Sequence, residues 1–115
     1  MSYGYYSEVY FAESLSTSTH IKIGETTNAR RRSNQLFKER NYWITDSMDI
    51  GGDEAKRLFV ESFLRLQIME TYHAQRVGKD YFVCSDAETA QAIKMHFREW
   101  VLDALVILNN CQKTY

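Results

Sequence analysis

The stretch His20–Leu36, HIKIGETTNARRRSNQL, carries the reading of the fold. Ile21 and Ile23 alternate with His20 and Lys22. That period of two predicts a half-buried strand with Lys22 on the face opposite the isoleucines. Gly24 closes the strand, and Thr26, Thr27 or Asn28 stands where a helix N-cap is needed. The helix that follows is expected to run to about Arg40. Three- and four-residue spacing sets Ala29, Arg32 and Leu36 on one face, with Phe37 beside them, while Arg30 and Arg31 point elsewhere. An arginine on the packing side of a helix requires an anion or an acceptor. Arg32 is thereby set apart from its two neighbours.

Working outward, SEVYFAE (7–13) alternates Val9 and Phe11 with polar or amphipathic residues and predicts a strand, and SLSTST (14–19) predicts a polar hairpin loop. YWITDSMDI (42–50) suits a third strand, and GGD (51–53) breaks the chain and caps a second helix. In that helix Ala55, Leu58, Phe59, Phe63, Leu66 and Met69 form one apolar face and Val60, Leu64 and Ile68 another, the pattern of a helix sandwiched between the sheet and a neighbour. Glu61 lies at the edge of the second face. Two readings apply to it. One is a partly buried acid that calls for a cation; the other is a surface acid paired with Arg57 or Arg65 at four-residue spacing, worth only about 0.2–0.5 kcal/mol.

VGKDYFVC (77–84) predicts a turn and then a short strand or extended segment. The last helix starts at Ser85 or Asp86, and its second half is nearly all apolar. It is expected to pack across the domain or to join two copies of the chain in a homodimer. The whole describes one α+β domain over residues 1–115. Its expected centre is a small three-stranded antiparallel sheet (8–12, 20–24, 43–49), flanked by helices near 28–40, 54–70 and 86–108.

The formal charge of −1 does not by itself suggest a nucleic-acid binder, but charge is unevenly spread. Between Lys22 and Arg40 the basic residues are Lys22, Arg30, Arg31, Arg32, Lys38 and Arg40, against Glu25 and Glu39. Such a surplus forms either a local basic patch or a solvated helix face. Cys84 and Cys111, with His20, His73 and His96, have no zinc-ligand spacing. The opening MSYGYYSEVYF lacks the features of a signal peptide, and WVLDALVIL is too short to span a membrane and is broken by Asp103. A soluble, cytoplasmic chain with no membrane partner is expected.

The order of strand, hairpin, strand ending in glycine, arginine-bearing helix, strand and glutamate-bearing helix resembles the GIY-YIG nuclease superfamily. The likeness is greatest to its small phage and bacterial branch, in which the second motif begins with KIG, and it covers roughly residues 7 to 84. EVYF (8–11) resembles the first motif, with Tyr10 at its tyrosine, and KIG (22–24) the second, with Lys22 in place of the more usual tyrosine. The Gly–Thr–Asn run leads from Gly24 to Arg32; VESFL (60–64) resembles the helix motif that carries Glu61; GKDYF (78–82) resembles the Gly-x-Glu-Trp-Phe segment. The chain departs from the pattern in lacking the first-motif glycine and a late supporting asparagine. Gly4-Tyr5-Tyr6 imitates the first motif but lies too far from Gly24.

The resemblance implies a metal-dependent DNA endonuclease with Tyr10, Lys22, Arg32 and Glu61 as catalytic residues. Glu61 is its metal ligand, for Mg²⁺ or Mn²⁺, because a carboxylate is the hard oxygen donor such ions prefer. Arg32 can fork onto a phosphate oxygen. Tyr10 can accept a proton or orient water, and Lys22 can bind phosphate or lower the Tyr10 pKa. Arg30, Arg31, Lys38 and Arg40 are then general DNA-phosphate contacts. Two further readings stay open: a nucleic-acid-binding module of the same fold without turnover, and a protein-interaction factor such as a small inhibitor.

Overall fold

A computed structural model of the protein describes residues 7–113, so Gly4-Tyr5-Tyr6 lies outside the described residues. In chain order the elements are β1 (Glu8–Ser14), β2 (His20–Thr26), α1 (Ala29–Arg40), β3 (Tyr42–Asp49), α2 (Glu54–Tyr72), β4 (Gln75–Val77), β5 (Tyr81–Val83) and α3 (Ala87–Lys113). The fold is α+β, built on an antiparallel sheet in the order β3-β1-β2-β5-β4. The expected three-stranded sheet is therefore corrected to five strands. Its core, β3-β1-β2, has the expected members, but a β4–β5 hairpin turning at Gly78 (φ +71°) adds two more on the β2 side. Strands of three residues are too short to declare a period, and every residue of β4 is exposed, so no alternation marks it.

Helix boundaries follow local chemistry. The Asn28 side chain accepts from the Arg31 N–H and starts α1; Asp53 does the same for Lys56 in α2, and Asp86 for Thr89 ahead of α3. Gly51 and Gly52, at φ +60° and +83°, make the break before α2 that costs other residues strain. Asn41 and His73 end α1 and α2 in the left-handed conformation.

The pleat sorts the strands into two unlike faces. Val9, Phe11, Ile21, Ile23 and Phe82 point to one side and are buried under α2 and α3 with Val60, Leu64, Ile68, Ile93, Phe97 and Val101. Tyr10 and Ala12 point to the other, where Leu36 and Tyr42 complete a smaller cluster and Tyr81 and Ile44 pack against it. Each fully buried Leu, Ile or Phe contributes about 1.5–3 kcal/mol of transfer free energy, so the first face holds the domain together.

Two packing expectations need correction. On α2 only the Val60–Leu64–Ile68 face is buried; Phe59 and Phe63 are half-buried at its margin, while Ala55, Leu58, Leu66 and Met69 are exposed. Periodicity locates apolar residues on a helix but does not say which side has a neighbour. On α1 Leu36 is buried as expected, whereas Phe37 is exposed and meets Trp43 edge-on at 5.6 Å. The last helix packs across the domain through Ala90, Ile93, Phe97, Val101 and Ala104, leaving Leu102, Val106 and Ile107 exposed. Among the described residues no helix is long and apolar enough to cross a membrane.

Candidate active site

The site begins where β5 stops. Its ladder with β2 ends at Lys22↔Tyr81, and one further hydrogen bond runs from the Ile23 N–H to the Asp80 carbonyl at 3.1 Å. Beyond that point β5 no longer covers β2, and α2 closes in: Arg57 Nε meets Glu25 Oε2 at 3.3 Å. The gap between strand end and helix is a cavity of about 240 Å³. Tyr10 from β1, Lys22 from β2, Arg32 from α1 and Glu61 from α2 all line it, together with Gly24, Glu25, Lys79 and Asp80. Four residues selected across fifty positions of sequence thus meet in one place.

The local structure explains each. Tyr10 pairs with Gly24 across β1 and β2, and a Cβ at Gly24 would overlap the Tyr10 hydroxyl and ring. Only glycine leaves room for the phenol there. The expectation that Gly24 closes the strand is corrected: β2 pairs with β1 on to Thr26, and the glycine lies inside the strand, where the Tyr10 ring requires it. Lys22 stands on the face opposite Ile21 and Ile23, its Nζ 4.7 Å from the Tyr81 ring centroid and 5.6 Å from that of Tyr10. It also donates to the Ile23 carbonyl at 3.2 Å. Arg32 is half-buried and donates to Gln35 Oε1 at 3.2 Å, while Arg30, Arg31, Lys38 and Arg40 are exposed and none lines this cavity. The helical periodicity separates Arg32 from Arg30 and Arg31 as expected.

Glu61 combines features of both readings made for it. It is buried, only 3% exposed, and it is also paired: Arg65 Nη2 donates to its Oε1 at 3.2 Å. The same nitrogen reaches Asp80 Oδ1 at 3.0 Å, so one guanidinium bridges two buried carboxylates. Arg57, the alternative partner for Glu61, belongs to Glu25 instead.

The electrostatics are those of a crowded acidic corner. Burial, then the adjacent Asp80 and Glu25 charges, push the Glu61 carboxyl from its ordinary 4.5 up to about 7, against the pull of Arg65. Burial drives the Lys22 ammonium below its ordinary value, and Asp80 and Glu61 partly restore it. Burial also pushes the Tyr10 phenol well up, and the cation that most opposes this is Arg32. The expected lowering of the Tyr10 pKa by Lys22 is accordingly replaced: desolvation dominates, and the phenol is held protonated, able to donate a hydrogen bond to an oxygen in the cavity.

Asp80 is the residue that sequence reasoning missed. It sits inside the GKDYF segment, but only the pairing of that segment with β2 brings its carboxylate to Glu61. Lys79 arrives with the same segment, and Glu25 comes from β2 itself. The donor set suits a hard divalent cation. Three carboxylates (Glu25, Glu61, Asp80) line the cavity, and a cation would relieve the repulsion that adds to burial in raising Glu61. Among the described residues no group of three or more His, Cys, Asp or Glu side chains is placed to hold a metal ion. An ion that keeps most of its waters needs only one or two carboxylates.

No protein-family model, no curated protein and no solved structure matches this chain.

Proposed function

We propose that the protein is a phosphodiesterase acting on DNA, an endonuclease dependent on Mg²⁺ or Mn²⁺, with Tyr10, Lys22, Arg32 and Glu61 as its catalytic residues. The observation that carries this reading is the convergence of these four side chains, from four separate elements, on one small polar cavity. A strand tyrosine and lysine, a helix arginine and a buried glutamate are the set that the resemblance to the GIY-YIG superfamily implies.

Each side chain has a task that its surroundings suit. Hydrolysis of a phosphodiester requires neutralised charge at phosphorus, an activated water and a stabilised leaving oxygen. Arg32, anchored on α1 and steadied by Gln35, presents a fork to a phosphate oxygen. Lys22 adds a second positive charge from the neighbouring strand. The Tyr10 phenol, buried and wedged over Gly24, has one orientation in which to hold the attacking water or the leaving oxygen. Glu61, with Asp80 beside it, would hold the metal, which when bound supplies Lewis-acid polarisation of the phosphate and a more acidic water. Asp80 also holds Arg65, and Arg65 orients the Glu61 carboxylate.

The test is nicking of supercoiled plasmid in the presence of Mg²⁺. The wild-type chain is expected to nick it and Glu61→Gln to leave it intact while still binding DNA, since the substitution keeps shape but removes the charge. A Glu61→Gln protein that nicks at the wild-type rate would sink the assignment. A second reading, the same fold binding nucleic acid without turnover, draws on one observation. Arg65 already engages Glu61 and Asp80, as a structural ion pair does. On that reading DNA binding persists and the wild-type chain leaves the plasmid uncut with either ion.

A further inference from the structure

A second cavity of about 550 Å³ opens beside the first, between the end of α1, the start of β3 and the β4–β5 hairpin. Its chemistry is different. His20, Arg40 and Lys79 bring positive or protonatable nitrogen, Tyr42, Tyr81 and Val77 bring aromatic and apolar surface, and no carboxylate lines it. Tyr42 and Tyr81 meet edge-on with ring centroids 5.3 Å apart, so the Tyr81 ring is held in place, and Arg40 sits 5.7 Å from its centroid. Val77 is about half exposed at the rim.

The two cavities adjoin. Lys79 lines both, and Lys22, which lines the smaller one, lies 4.7 Å from the ring of Tyr81, which lines the larger. A strand whose phosphate rests between Lys22 and Arg32 has the larger cavity beside it, across Lys79. The space there is of small-molecule size, suiting a base and its sugar, while a phosphate with its waters is matched to the smaller one. Cations with an aromatic wall and no acid select a ligand that has both a flat π-face and a negative charge.

We infer that the larger cavity is a nucleobase subsite. It takes one unstacked base of the bound strand against Tyr81, with the neighbouring phosphate held by Arg40 and Lys79. This rests on the phosphodiesterase reading and narrows it. A base that enters a side cavity has left its helix, so the preferred substrate is single-stranded or locally unpaired nucleic acid rather than continuous duplex.

The experiment uses the full chain carrying Glu61→Gln, so that nothing is cut, and fluorescence anisotropy with three labelled probes. These are an oligothymidylate, an abasic oligodeoxynucleotide of equal length and charge, and the duplex of the same length. The oligothymidylate is expected to bind about tenfold or more tightly than the abasic probe, which has the same phosphates and no bases. It should also bind more tightly than the duplex. Adding Tyr81→Ala should erase the preference for bases, and Tyr81→Phe should restore most of it. Arg40→Ala, at the exposed end of α1, should weaken all probes alike and lower the salt dependence by about one phosphate contact. Equal binding of the thymidylate and abasic probes overturns the subsite, as does a preference that survives Tyr81→Ala. If the wild-type chain meanwhile nicks plasmid, the phosphodiesterase reading stands and only the subsite falls. If no probe binds and no plasmid is nicked, both fall together.

Discussion

The two faces of the central sheet are made by the same strands and do opposite things. Val9, Phe11, Ile21 and Ile23 lie under two helices in a dry, close-packed core. One residue out of step with them, Tyr10, Lys22 and Gly24 lie on the opposite face, and they line a polar cavity with Arg32 of α1 and Glu61 of α2. The pleat thus separates stability from chemistry at a spacing of one residue. On the first face a side chain is judged by the space it fills. On the second, the polar groups are desolvated and poorly matched, as shown by a glutamate raised to about 7 and a lysine lowered by burial. Such mismatches are tolerated where a ligand later relieves them.

Single substitutions on the two faces should therefore produce opposite phenotypes. The largest expected effect is on the cavity side. Arg32→Ala should reduce plasmid nicking by at least a hundredfold, on the order of what one lost transition-state contact costs, and leave the urea midpoint nearly unchanged. A midpoint that falls along with activity would place Arg32 in the structural class and erase the distinction.

Next in size is the core side. Phe11 is fully buried, with its ring 6.1 Å from that of Phe97. Phe11→Ala should cost about 3–5 kcal/mol and Leu64→Ala about 2–5 kcal/mol in urea denaturation. Where enough folded protein survives, its specific nicking activity should be close to normal.

Gly24→Ala probes the seam between the faces, because it adds one methyl group exactly opposite the Tyr10 hydroxyl. Overpacking of this kind costs about 1–3 kcal/mol, and the displaced phenol should reduce nicking far more than that loss of stability explains. Normal activity in a folded Gly24→Ala protein would mean that the position of Tyr10 is not critical.

A smaller effect should appear in the pH dependence of stability. Below its ordinary pKa of 4.5, Glu61 is protonated in both the folded and the unfolded chain. Between 4.5 and about 7 the unfolded chain releases this proton and the folded chain retains it. Stability from this group is therefore complete below the window, falls as pH rises through it, and levels off above about 7. The loss is about 3 kcal/mol at most. Glu61→Gln should flatten that slope, so its urea midpoint gains on the wild type as pH rises. Parallel midpoints for the two proteins would contradict the raised carboxyl. Metal-dependent nicking should rise through the same window, since a proton on Glu61 competes with a cation.

The smallest effect belongs to the outer arginines. Arg30→Ala and Arg31→Ala should each lower the slope of DNA affinity against salt by about one contact and leave nicking at saturating DNA intact. A loss of nicking equal to that of Arg32→Ala would turn α1 into an undifferentiated basic surface.

The sequence by itself determined what depends on neighbours along the chain. Alternation in residues 8–12 and 20–24 sets which side chains share a face, the caps at Asn28, Asp53 and Asp86 set the helix starts, and helical spacing sets Arg32 apart from Arg30 and Arg31. These are short-range constraints, written into consecutive residues. Only the tertiary structure decided the rest. The three-residue strands β4 and β5 exist because β2 offers an edge to pair with, and their pairing brings Asp80 and Lys79 beside Glu61. The same pairing draws Tyr81 to Tyr42, making the second cavity from segments almost forty residues apart. Tertiary packing also decided that the Val60–Leu64–Ile68 face of α2 is core, while the other apolar face is half-buried at Phe59 and Phe63 and exposed elsewhere. Burial and charge proximity arise from the approach of distant segments, and so does the raised Glu61 carboxyl: Asp80 and Arg65 act on it across a gap that no local pattern records.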